Sequence, residues 1–242
     1  MIEIIKPTWD VDPRVHALCT TRIGGHSTGP YRGLNLATHV GDDLGAVITN
    51  RQLLRAQLAL PREPCWLRQT HGTDLVADEH AHDEPQADAC YATTAGTVCA
   101  VMTADCLPIL LCDRAATTVV AIHAGWRGIY NGIIGKTLAK LASPARRWCA
   151  WIGPGISATA YRVGVDLKNR FFSLDPAHAA FFKYRDLHWH ADLAGIAQYQ
   201  LEIYGVDFIE RYGGCTAGEP ARFYSFRRDG VCGRMASLIW LA

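Results

Sequence analysis

The chain has 242 residues, 49% of them apolar and 19% charged, with a formal net charge of +1. That balance suits a folded, enzyme-sized core, excludes a disordered chain, and offers no strong field for nucleic acid or an anionic membrane. The longest apolar runs have strand length, well short of a membrane span. The opening "MIEIIKPTWD" lacks the basic and apolar regions of an export signal, so a cytoplasmic protein with no membrane or nucleic-acid partner is expected.

In chain order, "VHALCTTR" (15–22) reads as a strand and runs into a glycine-rich loop over 24–33. Over 43–60, Leu44, Val47, Ile48, Leu54 and Leu58 recur at helical spacing, with Asp42 or Asp43 available to cap the start and Pro61 beyond the end. Three β-like runs then crowd together at 97–105, 107–112 and 117–124. "NGIIGKTLAKLAS" (131–143) predicts a helix, "WCAWIG" (148–153) a strand and 192–204 a helix. "VDFIERY" (206–212) and "MASLIWLA" (235–242) close the chain as strands. Too few residues separate the central runs for crossover helices. Hairpins in a mixed or antiparallel sheet follow, and hence an α+β fold in a single domain spanning 1–242.

Nine scattered cysteines without any C-x-x-C argue against zinc ribbons and thioredoxin-type chemistry. Most should be small buried apolar residues, leaving one or two with a function. "GGHSTGPY" (24–31) fits half of a phosphate loop, but Pro30 and Tyr31 stand where Lys and Ser/Thr are required. Its backbone N–H groups and Arg22 remain candidates for lining a ligand site. "HAGW" puts Gly125 where zinc nucleobase deaminases need Glu, and their paired cysteines are absent.

Three segments carry the chemistry. "TADCLPILLCD" (103–113) sets Asp105 and Cys106 at the mouth of an apolar run, and Pro108, lacking a ladder donor, predicts an edge, bulge or strand junction there. "IHAGWRG" (122–128) ends a second run in His123, and "LRQTHGTDLV" (67–76) places His71 before Gly72. Strand ends on a rigid scaffold present side chains accurately. His71, Cys106 and His123 make a His₂Cys set, a known zinc combination with an open fourth position, though spacing alone leaves open whether they converge. His80 and His82 read as solvated, and His188 with His190 as a surface pair lacking a third ligand nearby in sequence.

Further motifs are "TTRIGGHSTGPYRGLNLATHVGDD" (20–43), "QTHGTDLV" (69–76), "ADACYAT" (87–93), "VMTADCLPILLCD" (101–113), "WIGPGI" (151–156), "CT" (215–216) and "FYSFRRDGVCGRMASLIWL" (223–241). With these the chain resembles, nearly end to end, the YfiH-like family, also described as laccase-domain or multicopper polyphenol oxidase proteins and as purine nucleoside phosphorylases. Cys232 in "GVCGR" stands where the family usually has Thr, and "WHADLAGIAQYQL" (189–201) matches more loosely.

The resemblance implies a four-layer helix/sheet/sheet/helix α+β sandwich with mixed sheets and a metal site of His71, Cys106 and His123. Zinc is the expected ion, with copper possible. It further implies phosphorolysis of adenosine, inosine and 5′-methylthioadenosine, with adenosine deamination beside it. Purine nucleosides and phosphate are then the partners; the sequence itself does not fix the oligomeric state, for which a monomer is favoured. Arg22, Arg127, Arg227 and Arg228 are candidate anion holders, because guanidinium forks suit phosphate oxygens. Asp105 is a candidate proton shuttle or a partner orienting a ligand histidine, and Tyr31, Phe223 and Tyr224 are candidates for stacking on a purine. The family is also linked to copper-dependent phenol oxidation and to peptidoglycan-precursor editing. The first needs several copper centres, and only His71 and His123 are well placed. A metal-free alternative is a cysteine hydrolase with Cys106 as nucleophile and His71 or His123 as base.

Overall fold

A computed structural model describes residues 1–77, 84–141 and 147–242. In chain order its elements are β1 (Ile4–Ile5), β2 (Val15–Thr20), α1 (Leu44–Leu58), β3 (Leu75–Ala77), β4 (Ala89–Ala92), β5 (Val98–Thr103), β6 (Leu107–Asp113), β7 (Val119–Ala124), α2 (Trp126–Tyr130) and α3 (Ile133–Lys140). There follow β8 (Trp148–Ile152), β9 (Arg162–Val163), α4 (Val165–Leu174), β10 (Phe182–Arg185), β11 (His188–Ala191), α5 (Leu193–Ile203), β12 (Val206–Arg211), α6 (Phe226–Asp229) and β13 (Met235–Leu241). The fold is mixed α+β. The helix expected at 43–60 begins after Asp43, whose carboxylate accepts the Ala46 N–H at 2.7 Å. Residues 131–143 give α3 alone, and 142–146 lie outside the described residues.

The strands form three sheets: β1-β2-β13-β5, β12-β8-β6-β7-β4-β3, and a small β10-β11-β9. In the six-stranded sheet β6, β7, β4 and β8 pair antiparallel, whereas β3–β4 and β12–β8 are parallel. Strand side chains alternate between faces, and β6 shows the result. Leu107, Ile109 and Leu111 point into a core with Ile129, Ile133 and Ile196 from the helices, whereas Leu110 and Cys112 meet Cys19, Val101 and Ile239 of the four-stranded sheet. The far face of the four-stranded sheet packs Leu18, Ala100 and Leu238 against Leu54 of α1.

The expected hairpin of the first two central runs does not form. β6 and β7 pair as a hairpin, but β5 belongs to the other sheet. The chain crosses between sheets at 104–106, and Pro108 sits just inside β6, opposite His123. The apolar runs on either side of 103–105 cannot reveal that change of sheet, because both faces of both strands are buried. The small β10-β11-β9 sheet was not anticipated, its strands being only two to four residues long. No described helix is long and apolar enough to cross a membrane.

Candidate metal centre

Cys106 stands at the sheet crossing, His123 on β7 and His71 on the loop before β3. Their ligand atoms all lie within 4.8 Å of one another, with Sγ of Cys106 3.9 Å from Nε2 of His71. The imidazoles meet edge-on, ring centroids 4.8 Å apart and planes at 81°. Tetrahedral coordination with the usual Zn–S and Zn–N bond lengths needs an S···N separation of about 3.6 Å, so small side-chain movements would gather the three donors. The space around them is kept by Gly125, where a Cβ would lie 3.0 Å from the Cys106 sulfur and 3.1 Å from the His71 ring. One soft sulfur, two imidazole nitrogens and an enforced gap fit a zinc-like divalent ion.

Asp88, just before β4 and fully buried, organises the centre. One carboxylate oxygen accepts Nδ1–H of His123 at 2.7 Å and the His71 N–H at 2.9 Å. The other accepts the N–H groups of Thr70 (3.1 Å) and Gly72 (2.7 Å) and the Thr70 hydroxyl. The Asp88 carbonyl also takes the His123 N–H. This aspartate therefore shapes the His71 loop, where His71 holds a left-handed φ of 60°, and fixes the His123 tautomer so that Nε2 is left for an ion. Burial opposes charge on all three groups, and the cluster overcomes it. Hydrogen bonding to His123 and the loop amides lowers Asp88 to about 2; the Cys106 thiolate and Asp88 raise His123 to about 9; His123 and His71 lower the Cys106 thiol to about 6. Cys106 is thus primed as a thiolate, unlike buried Cys19, whose thiol desolvation pushes up to about 12.

Asp105 does not orient a ligand histidine; Asp88 does. The Asp105 carboxylate instead accepts the Thr216 hydroxyl (2.7 Å), the Ser225 hydroxyl (3.0 Å) and the Arg227 N–H (2.6 Å). It thereby ties the start of α6 to the residue beside Cys106, with its own backbone left-handed at φ 91°.

The four candidate anion-binding arginines separate. Arg22 stacks on Tyr224 and donates to the Arg32 and Pro220 carbonyls. Arg228 pairs with Asp229 and donates to the Thr216, Ala217 and Phe223 carbonyls. Both are engaged by backbone carbonyls, and Arg22 also borders, with the glycine-rich loop at 24–33, a cavity of about 770 Å³. Arg127 is exposed and stacks over Trp126, 4.6 Å from its centroid. Arg227 is also exposed; it donates to the Arg162 carbonyl and stacks over Tyr161 at 5.0 Å. Tyr161, which sequence reasoning missed, gathers these groups: burial and the facing Cys106 raise its phenol to about 12, against the fields of Arg227 and Arg127.

Phe223 and Tyr224 are fully buried core residues, not stacking platforms, and the Tyr31 hydroxyl is bound to the Val40 carbonyl. His188 is exposed as expected, but His190 is buried. His80 and His82 lie outside the described residues.

Similar proteins carry the same fold. A crystal structure of a Neisseria meningitidis protein of the DUF152 family superposes with a TM-score of 0.93 at 43% identity, covering 98% of each chain. YlmD from Geobacillus stearothermophilus superposes at 0.86 with 31% identity, covering 95% of this chain and 94% of its own. The purine nucleoside phosphorylase YfiH of Escherichia coli K12 is 44% identical over 245 residues, all of both chains. The purine nucleoside phosphorylase of Haemophilus influenzae is 39% identical over 99% of each. Residues 16–242 match the multi-copper polyphenol oxidoreductase laccase family, and with relatives so similar over their whole length the chain belongs to that family.

Proposed function

We propose that the chain is a mononuclear zinc purine nucleoside phosphorylase acting on adenosine, inosine and 5′-methylthioadenosine, with adenosine deamination as a secondary activity at the same centre. The observation that carries this reading is the convergence of His71, Cys106 and His123, with exposed Arg127 and Arg227 acting with Cys106 on Tyr161, in a chain whose relatives are named purine nucleoside phosphorylases.

A bound divalent ion would supply positive charge and an open coordination position. Cys106 and the two histidines would hold it, and Asp88 keeps the His123 proton on Nδ1. Arg127 and Arg227 are the exposed groups that would hold phosphate oxygens as phosphate attacks the anomeric carbon and the glycosidic bond to the purine breaks, Arg227 exchanging its Arg162 carbonyl for the anion. Asp105 holds Arg227 in place through the backbone at 2.6 Å. Among the described residues one cluster has three metal-ligating side chains. Laccase chemistry requires several copper centres, so a single zinc suits the donor set better than copper-dependent phenol oxidation.

The test incubates metal-replete protein with adenosine, with and without phosphate, and separates adenine from inosine by chromatography. Phosphate-dependent release of adenine, lost in Cys106→Ala and His123→Ala, is expected. Untouched adenosine in both conditions refutes the reading, and retained turnover in those variants removes the metal from it. Cleavage of cell-wall peptides by metal-free protein would favour the cysteine hydrolase.

A further inference from the structure

Away from the metal centre, the β10-β11-β9 sheet has two unlike faces. Its register pairs Lys183 with His190 and His190 with Arg162, and Arg185 with His188, so these five basic residues share one face. The other face presents Phe182, Ala191, Val163 and Trp189 to the core. The basic face borders a cavity of about 200 Å³ lined by Ala158, Thr159, Phe181, Lys183, Arg185 and His190, among others.

Two observations say what the cavity would accept. His190 is 7% exposed, and its Nδ1 donates to the Ala158 carbonyl at 3.2 Å. In the neutral ring this leaves Nε2 as an acceptor, and Nε2 has no hydrogen-bond partner among the described residues. A buried acceptor without a donor is costly, and a ligand hydroxyl would satisfy it. Lys183 and Arg185 are exposed at the mouth and form no ion pair among the described residues, while Asp192 on the cavity wall takes both the Gly195 N–H (2.8 Å) and Arg211 (3.3 Å) on a single carboxylate oxygen. Phe181, Ala158 and Ala180 add an apolar wall suited to the C–H face of a sugar ring.

From these features we infer that the cavity is a sugar-phosphate binding site, separate from the metal centre. The phosphate pairs with Lys183 and Arg185, and a sugar hydroxyl donates to Nε2 of His190. The site stands independently of the proposed phosphorylase activity.

The experiment uses metal-loaded protein with ¹⁵N-labelled histidine rings, titrated separately with ribose 5-phosphate, inorganic phosphate and ribose. Ribose 5-phosphate should shift the His190 Nε2 signal in the wild type and equally in Cys106→Ser, which removes the metal-centre sulfur. The double variant Lys183→Ala/Arg185→Ala changes only exposed side chains and should weaken that binding about tenfold or more. His190→Phe should abolish it. The inference is overturned if ribose 5-phosphate leaves His190 unmoved, if the double variant binds as the wild type does, or if inorganic phosphate alone binds as tightly as the sugar phosphate.

Discussion

Replacing Asp88 by Asn tests the organisation of the metal centre with almost no change in shape. The carboxylate accepts from His123, three successive loop amides and the Thr70 hydroxyl. An amide offers only one accepting atom, so its NH₂ group must face donors. Burial works against the Asp88 charge, yet its partners lower it from the usual 3.8 to about 2, and at 1.36 kcal/mol per tenfold that is worth roughly 2 kcal/mol of folded-state stability. For a chain of this size such a loss lowers Tm by roughly 4–8 °C. Without its carboxylate partner His123 also loses its fixed tautomer, and metal affinity should fall about 10–100-fold. The assays are metal content against a competing chelator and urea unfolding of metal-free protein across pH. Because the folded-state value is depressed, the stabilisation is complete above the ordinary 3.8 and disappears as pH falls through about 2. The stability gap between wild type and Asp88→Asn should therefore narrow by roughly 2 kcal/mol between about pH 5 and about pH 2. A variant that binds metal like the wild type, with a gap that does not change with pH, would refute the reasoning.

In metal-free protein, iodoacetamide should label Cys106 first, with a half-point near the thiol's value of about 6, while Cys19 and Cys112, both pushed up to about 12, stay unlabelled; peptide mass mapping reads this, and added zinc should protect. Gly125→Ala should leave secondary structure intact, since φ −72° and ψ 161° suit alanine. Its methyl strikes the Cys106 sulfur and the His71 ring, so metal stoichiometry at limiting zinc should drop about tenfold or more. Arg127→Ala and Arg227→Ala should each raise the KM for phosphate about tenfold with little change in Tm. Arg228→Ala, which frees three carbonyls and Asp229, should instead lower Tm. The reverse pattern would reassign the anion holders.

The ligands were legible because His71, Cys106 and His123 are polar interruptions at the ends of apolar runs, where chemistry is conspicuous. Their convergence was not: it depends on the register that sets Pro108 opposite His123 and on the sheet change at 104–106, neither of which is a local property. Resemblance supplied that link. Asp88 was quoted within a motif but given no role. An aspartate among alanines marks nothing until β4 pairs with β7, setting Ala89 opposite Ile122 and its preceding carboxylate beneath His123. Arg22 and Arg228 looked free for a similar reason, since the carbonyls that hold them come from residues distant in sequence or from loop turns that leave no periodic signal. His190 differs from His188 by lying centrally, between Lys183 and Arg162, instead of at the sheet's end.

Cys106 sits on the short bridge between the two large sheets, while the histidines belong to the six-stranded sheet and its flanking loop. The spacing of the donor triangle is consequently a gauge of how the sheets are seated on each other. Slippage between the layers would strain the 104–106 segment that carries Cys106, because its ends are held by β5 in one sheet and β6 in the other. Ion release and loosening of the intersheet core should then be one cooperative event, observed together on heating.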